Sequence, residues 1–223
     1  MSASFPYYEQ PDGLRLSPSL GLDGEQEREL RNYVWEQIVT GVDDADEFCD
    51  IAEDEFELDE QVLQQAFDQL LTARRAQQEA WPPEVRETAL TRAFADLAEI
   101  GVIARQAFSC CGTCGSGEIY DERDDSRVWR GYIYFHIQDA ERIAESRQTY
   151  VGYGAFVESM FSEDEWNALN NTAKDETYLR LVTDLMRNDV TPVLERHGIE
   201  VEWDGDLGRR ILLKGVDWYA DVR

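Results

Sequence analysis

Lysine is almost missing from this chain: of 223 residues only Lys174 and Lys214 are lysines, and all basic residues number 21 against 47 acidic ones. Binding to a phosphate backbone releases counterions from clustered Lys and Arg, so a formal charge of −26 argues against nucleic acid and anionic membrane surfaces as partners. Cysteine is scarce as well, with four residues, too few for a secreted disulfide framework. No apolar run approaches the roughly 18 residues of a membrane span. Met1 to Gln10 carries no basic stretch leading into an apolar one. Together these absences point to a cytoplasmic protein with no membrane partner.

What is present describes a globular chain. Apolar residues make up 43% and aromatics 11%, more than a disordered chain of such charge carries. The length suffices for a core without disulfides or metal, so metal or thiol chemistry is optional for folding. Residues 1–22 hold Pro6, Pro11 and Pro18 with no sustained period and read as a flexible leader, with Tyr7 and Tyr8 able to pin it. Residues 23–223 read as a single α+β domain, a helical N-terminal layer (23–100) packed on a mostly antiparallel sheet (101–223), with a long helix in the C-terminal half.

Local signals support that division. Asp23 and Gln26 form a capping box before a helix over about 24–40, in which Leu30, Val34 and Ile38 recur at helical spacing. A short helix follows around Asp43 to Asp54 with Phe48 and Ile51 on its buried side, and Asp59 caps a longer one ended by Trp81. A further helix is expected from Pro83 to Gly101. Beyond Gly101 the period changes, and Val102 to Phe108, Gly131 to Ile137, Thr149 to Tyr153, Ile199 to Trp203 and Arg209 to Lys214 read as strands. Ser162 and Glu165 start a short helix. The long helix spans about Asp175 to His197, where Pro192 should kink it or restart it with Thr191 as cap.

Three of the four cysteines, Cys110, Cys111 and Cys114, lie within five positions of each other. In Cys111-Gly112-Thr113-Cys114 the two-residue spacer lets two thiolates converge on one ion, and the glycine tolerates the backbone such a turn needs. This is half of a four-coordinate zinc site, and the candidates for the remaining ligands are Cys110 and His136. An antiparallel pairing of strand 131–137 with strand 102–108 would carry His136 far from the thiol turn unless the loop folds back. The same two cysteines allow a thiol redox reading, with Cys111 as nucleophile and Cys114 as resolver, although Gly115-Ser116-Gly117 is a poor helix start. Cys49, alone on a helix, reads as a small core thiol.

His136 and Asp139 admit two readings, a base with its orienting carboxylate or a strand residue followed by a helix N-cap, and cap preference favours the second. His197 at a helix C-terminus is explained by the dipole. There is no H-E-x-x-H, no G-x-S-x-G and no phosphate loop, and the calcium-like run Asp44, Asp46, Asp50 has Cys49 where its glycine belongs. No group of residues forms a catalytic set. The acidic charge serves solubility in the plain reading. In the sharper one it is an interaction face for a basic protein partner, densest at Asp43 to Glu60, where eleven of eighteen residues are acidic.

The run Phe108-Ser109-Cys110-Cys111-Gly112-Thr113-Cys114-Gly115, then Gly131 to Asp139 with His136-Ile137-Gln138-Asp139, Tyr153-Gly154 and Val201 to Gly205, resembles a bacterial domain-of-unknown-function family, number 6891. The resemblance spans most of the chain beyond the leader. It implies family membership and no activity, ligand or catalytic residue.

Overall fold

The computed structural model describes residues 5–109, 115 and 117–222. Their contacts separate two compact units, one from residues 1–86 with 219–223 and one from residues 87–218.

The first unit is helical. Helix α1 (Gly24–Thr40) starts at the expected capping box: the Asp23 carboxylate accepts the Glu25 and Gln26 N–H groups at 2.9 Å, and Gln26 accepts the Asp23 N–H at 3.1 Å. Leu30, Val34 and Ile38 are fully buried. Helix α2 (Ala45–Ala52) is capped by Asp44, and its buried line is Phe48, Cys49 and Ala52. Ile51 is 39% exposed, against expectation, because the inward line runs from Phe48 to Ala52 one turn on and leaves Ile51 at its outer edge. Helix α3 (Glu60–Ala80) stacks Phe67 on Phe48 at 5.0 Å and extends its buried stripe through Leu70 and Leu71 to Arg74 and Gln78. A short helix α4 (Pro83–Arg86) ends the unit's first segment.

Residues 5–22 contain one turn of 3-10 helix and are tied down at several points. Tyr7 is buried and stacks on Tyr219 at 5.1 Å, Trp35 Nε1 donates to Tyr8 O at 2.9 Å, and Leu16 N–H donates to Glu27 at 3.0 Å. Arg74 closes this arrangement. It is fully buried, donates through Nη1 to Tyr7 O at 2.6 Å and to Gln77 at 2.8 Å, and lies 4.8 Å from the Trp81 ring and 5.8 Å from that of Trp35.

The second unit carries the sheet. The helix expected from Pro83 is interrupted, since Thr88 adopts an extended conformation, caps Thr91 N–H at 3.1 Å and begins a separate helix α5 (Ala89–Glu99). The strands are β1 (Val102–Arg105), β2 (Gly131–Tyr134), β3 (Gln148–Ala155), β4 (Glu200–Glu202) and β5 (Ile211–Lys214), in the order β1-β2-β3-β5-β4. Three of the four pairings are antiparallel, and β1 with β2 is parallel. Ile103, Ile119, Tyr132, Tyr134 and Phe156 form one core cluster. Gly131 is required where β2 meets its neighbours, because a Cβ there would lie 2.3 Å from Gly154 O and 2.4 Å from the Leu185 side chain.

Beyond α5, the described residues of this unit form the helices α6 (Ala140–Ser146), α7 (Glu163–Ala168), α8 (Asn171–Leu185) and α9 (Thr191–Arg196). Pro192 does not restart the helix with a Thr191 cap. Instead Met186–Val190 widens into a π turn and joins α8 to α9, with the Thr191 N–H donating to Met186 O. The wider turn accommodates a ring that has no N–H and would clash with the carbonyl one α-turn back. The α+β class and the long C-terminal-half helix therefore hold as expected. Among the described residues no helix is long and apolar enough to cross a membrane.

Candidate functional site

Parallel pairing of β1 and β2 decides what meets at their ends. Val102 faces Gly131 and Arg105 faces Tyr134, and hydrogen bonding continues past both strands: Phe135 N–H to Arg105 O at 3.3 Å, Phe108 N–H to Phe135 O at 2.8 Å and Ile137 N–H to Ser109 O at 3.3 Å. His136 therefore lies at the Ser109 end of the sheet, the opposite of what an antiparallel pairing would give. Gly115 is packed on β2 as well, since a Cβ on it would stand 2.6 Å from the Tyr134 ring. Ser109 and Gly115 flank Cys110, Cys111 and Cys114, which lie outside the described residues.

The chain leaves β2 through Phe135, whose ring meets Trp218 edge-on at 5.5 Å, and turns into a 3-10 turn at Ile137–Asp139. That turn brings the Asp139 carboxylate back beside the His136 ring. Asp139 occupies the N-cap position of α6 in the αR conformation and makes no capping hydrogen bond. The simpler expectation for Asp139 is thus overturned: its Oδ2 lies 3.1 Å from His136 Nε2, and Arg210 Nη2 donates to the same oxygen. Arg210 Nη1 stands 3.3 Å from Asp139 Oδ1 and 3.3 Å from His136 Nε2, while its Nη2 also reaches Tyr150 O.

Both His136 and Asp139 are more than nine-tenths buried. His136 Nδ1 is buried too, with no hydrogen-bond partner among the described residues. A carboxylate only accepts and a guanidinium only donates, so the ring must choose between its two neighbours. We assign the proton to Nε2, which is nearer to Asp139. The other tautomer would bury an orphaned N–H, a rarer state than an under-used acceptor. Nδ1 then carries a buried lone pair, and leaving such a group unsatisfied costs about 1–3 kcal/mol. Burial holds the imidazole below its ordinary pKa; Asp139 pulls it up and Arg210 pushes it down. The net direction favours the neutral ring that a metal ion requires.

The other expected residues fall elsewhere. His197 Nε2 pairs with Asp96 Oδ2 at 2.8 Å, a contact 101 positions apart that no local pattern announces. Cys49 is a buried free thiol in the first unit, as expected. Among the described residues no group of three His, Cys, Asp or Glu is placed to hold a metal ion. Arg210 was invisible as a participant because His136 and Asp139 are more than seventy positions away and are brought to it by the β3–β5 pairing.

Residues 23–220 match the family described as Domain of unknown function (DUF6891). The chain belongs to that family. The family carries no stated activity, and the motifs around Ser109, His136 and Asp139 fall within the matched region. No curated protein and no solved structure matches the chain at a significant level.

Proposed function

We propose that this protein binds a zinc ion through Cys110, Cys111, Cys114 and His136, with Nδ1 as the histidine ligand. The observation that supports this most is the buried His136 Nδ1, without a partner among the described residues, at the sheet end occupied by Ser109, with Nε2 turned to Asp139. Metal-ligating histidines commonly donate their other ring N–H to a carboxylate, which fixes the tautomer and raises ligand basicity. Asp139 stands in that relation to His136, and Arg210 holds Asp139 in turn. Three thiolates and one imidazole would fill a tetrahedral zinc, leaving no open position for substrate, so the ion would tie the cysteine segment to the sheet without performing chemistry.

The test is metal analysis of protein purified without a metal-binding tag, followed by cobalt substitution to read thiolate ligation. About one zinc per chain is expected for a single four-ligand site. Asp139→Ala should weaken zinc binding about 10–100-fold by releasing the imidazole. His197→Gln should leave it unchanged. Protein that contains no zinc and takes up none when supplied overturns the proposal, and would leave Cys111 and Cys114 to the thiol redox reading.

A further inference from the structure

A groove of about 270 Å³ opens in the first unit between α2, the segment that follows it and the start of α3. Its floor combines Leu63 and Cys49, both buried, with the half-buried Phe56 and Leu58. Three exposed carboxylates, Asp50, Glu53 and Glu60, stand along it. Among the described residues none of the three is in an ion pair with a basic side chain, although the second unit uses its arginines freely in such pairs. The Cys49 thiol, more than nine-tenths buried and on the groove wall, makes no hydrogen bond among the described residues. Burial first, then the Glu60, Asp46, Asp50 and Asp68 carboxylates, raise its pKa, so the thiol is neutral and already senses the negative field of the groove.

We propose that this groove binds a cationic amphipathic peptide segment of a partner protein, seating an apolar side chain on Phe56, Leu58 and Leu63 and flanking lysines or arginines against Asp50, Glu53 and Glu60. Charge complementarity selects this occupant. The groove lies in the most acidic stretch of a chain with 47 acidic and 21 basic residues, so an anionic segment is repelled and an uncharged one leaves the carboxylates unmatched. The apolar floor separates it from a plain acidic surface, because a compact polycation such as a polyamine has nothing to place there. The site involves none of the zinc ligands and stands whether or not metal is bound.

The experiment is fluorescence anisotropy on the full chain with a short labelled peptide of alternating lysine and leucine, beside a second peptide of the same charge with serine for leucine. The first should bind saturably and the second about tenfold more weakly, the difference being the apolar seat. Affinity should fall as salt is raised. Neutralising the groove with Asp50→Asn, Glu53→Gln and Glu60→Gln should weaken binding about tenfold. The same change in net charge made with Glu141→Gln, Glu145→Gln and Asp175→Asn, none of which lines the groove, should alter it less than about twofold. Equal losses from the two triple variants, equal affinity for the two peptides, or no saturable binding would each overturn the proposal. All six positions are exposed, so the variants retain the fold.

Discussion

Arg74 in the helical unit and Arg210 in the sheet unit both brace buried polar groups, and they differ in what meets the charge. Among the described residues no carboxylate pairs with Arg74. Tyr7 O, Gln77 and the faces of Trp35 and Trp81 surround it, and its pKa is pushed down to about 10 by burial, so it remains a cation near neutral pH. Its Nε and Nη2 have no partner among the described residues. Arg210 is paired with Asp139, which in turn faces His136, and the orphan there is the ring nitrogen Nδ1. The two orphans are chemically opposite. Unused N–H groups on a guanidinium can take nothing but an acceptor, whereas an imidazole lone pair can take a metal. Buried unsatisfied polar atoms thus mark a packing device in one unit and a candidate ligand in the other.

The sharpest way to test that contrast is at Arg74. If the residue works mainly by filling space between rings, Arg74→Ala should destabilise the chain by about 3 kcal/mol in urea denaturation through the cavity it leaves. Arg74→Met, which refills much of that volume without the charge, should recover most of the loss. A methionine variant no more stable than the alanine variant would show that the cation itself is needed.

Glycine substitutions should separate the units by sign. In the sheet unit, Gly131→Ala forces a Cβ into Gly154 O and Leu185 and should cost about 2 kcal/mol. In the helical unit, a Cβ on Gly24 meets nothing within 4 Å at the first position of α1. Gly24→Ala should therefore stabilise by up to about 0.5 kcal/mol, read from the same denaturation curves. Asp23→Ala, one position earlier, removes the capping carboxylate and should destabilise by about 1 kcal/mol.

The smallest expected effect is a pH dependence. Burial alone would raise the pKa of Glu27, but the Leu16 N–H and Arg31 outweigh it and hold the carboxyl below its ordinary 4.5. A depressed folded-state pKa contributes stability that is complete above the unfolded value and is lost as pH falls through the folded one. Glu27→Gln should accordingly lower stability slightly at neutral pH and flatten its decline below pH 4.5. A variant whose acid limb matches that of the parent chain would remove Glu27 from the ties that hold residues 5–22.

Much of the helical unit was legible because its determinants are local. The Asp23–Gln26 capping box, the Asp59 cap and the Leu30–Val34–Ile38 spacing each lie within one or two turns of the structure they specify. Ile51 and the break at Thr88 show where local pattern fails, since both depend on which face a neighbouring helix covers or where a unit begins.

The candidate site divides in the same way. Residue chemistry alone singled out Cys110, Cys111, Cys114 and His136, because thiol spacing and a nearby imidazole are properties of composition and order. Whether His136 could approach that segment depended on strand direction, and β1 and β2 have nothing in their own sequences that favours parallel over antiparallel pairing. The role of Asp139 was equally undetermined, since a carboxylate ahead of a helix reads as a cap until Arg210, the residue before β5, arrives to claim it. The sequence by itself determined the helices, their caps and the ligand chemistry, all of which act over a few residues. Tertiary structure alone decided that Arg210 joins His136 and Asp139 and that His136 lies close to Ser109, because those contacts are made by residues far apart in the chain and exist only once the sheet has formed.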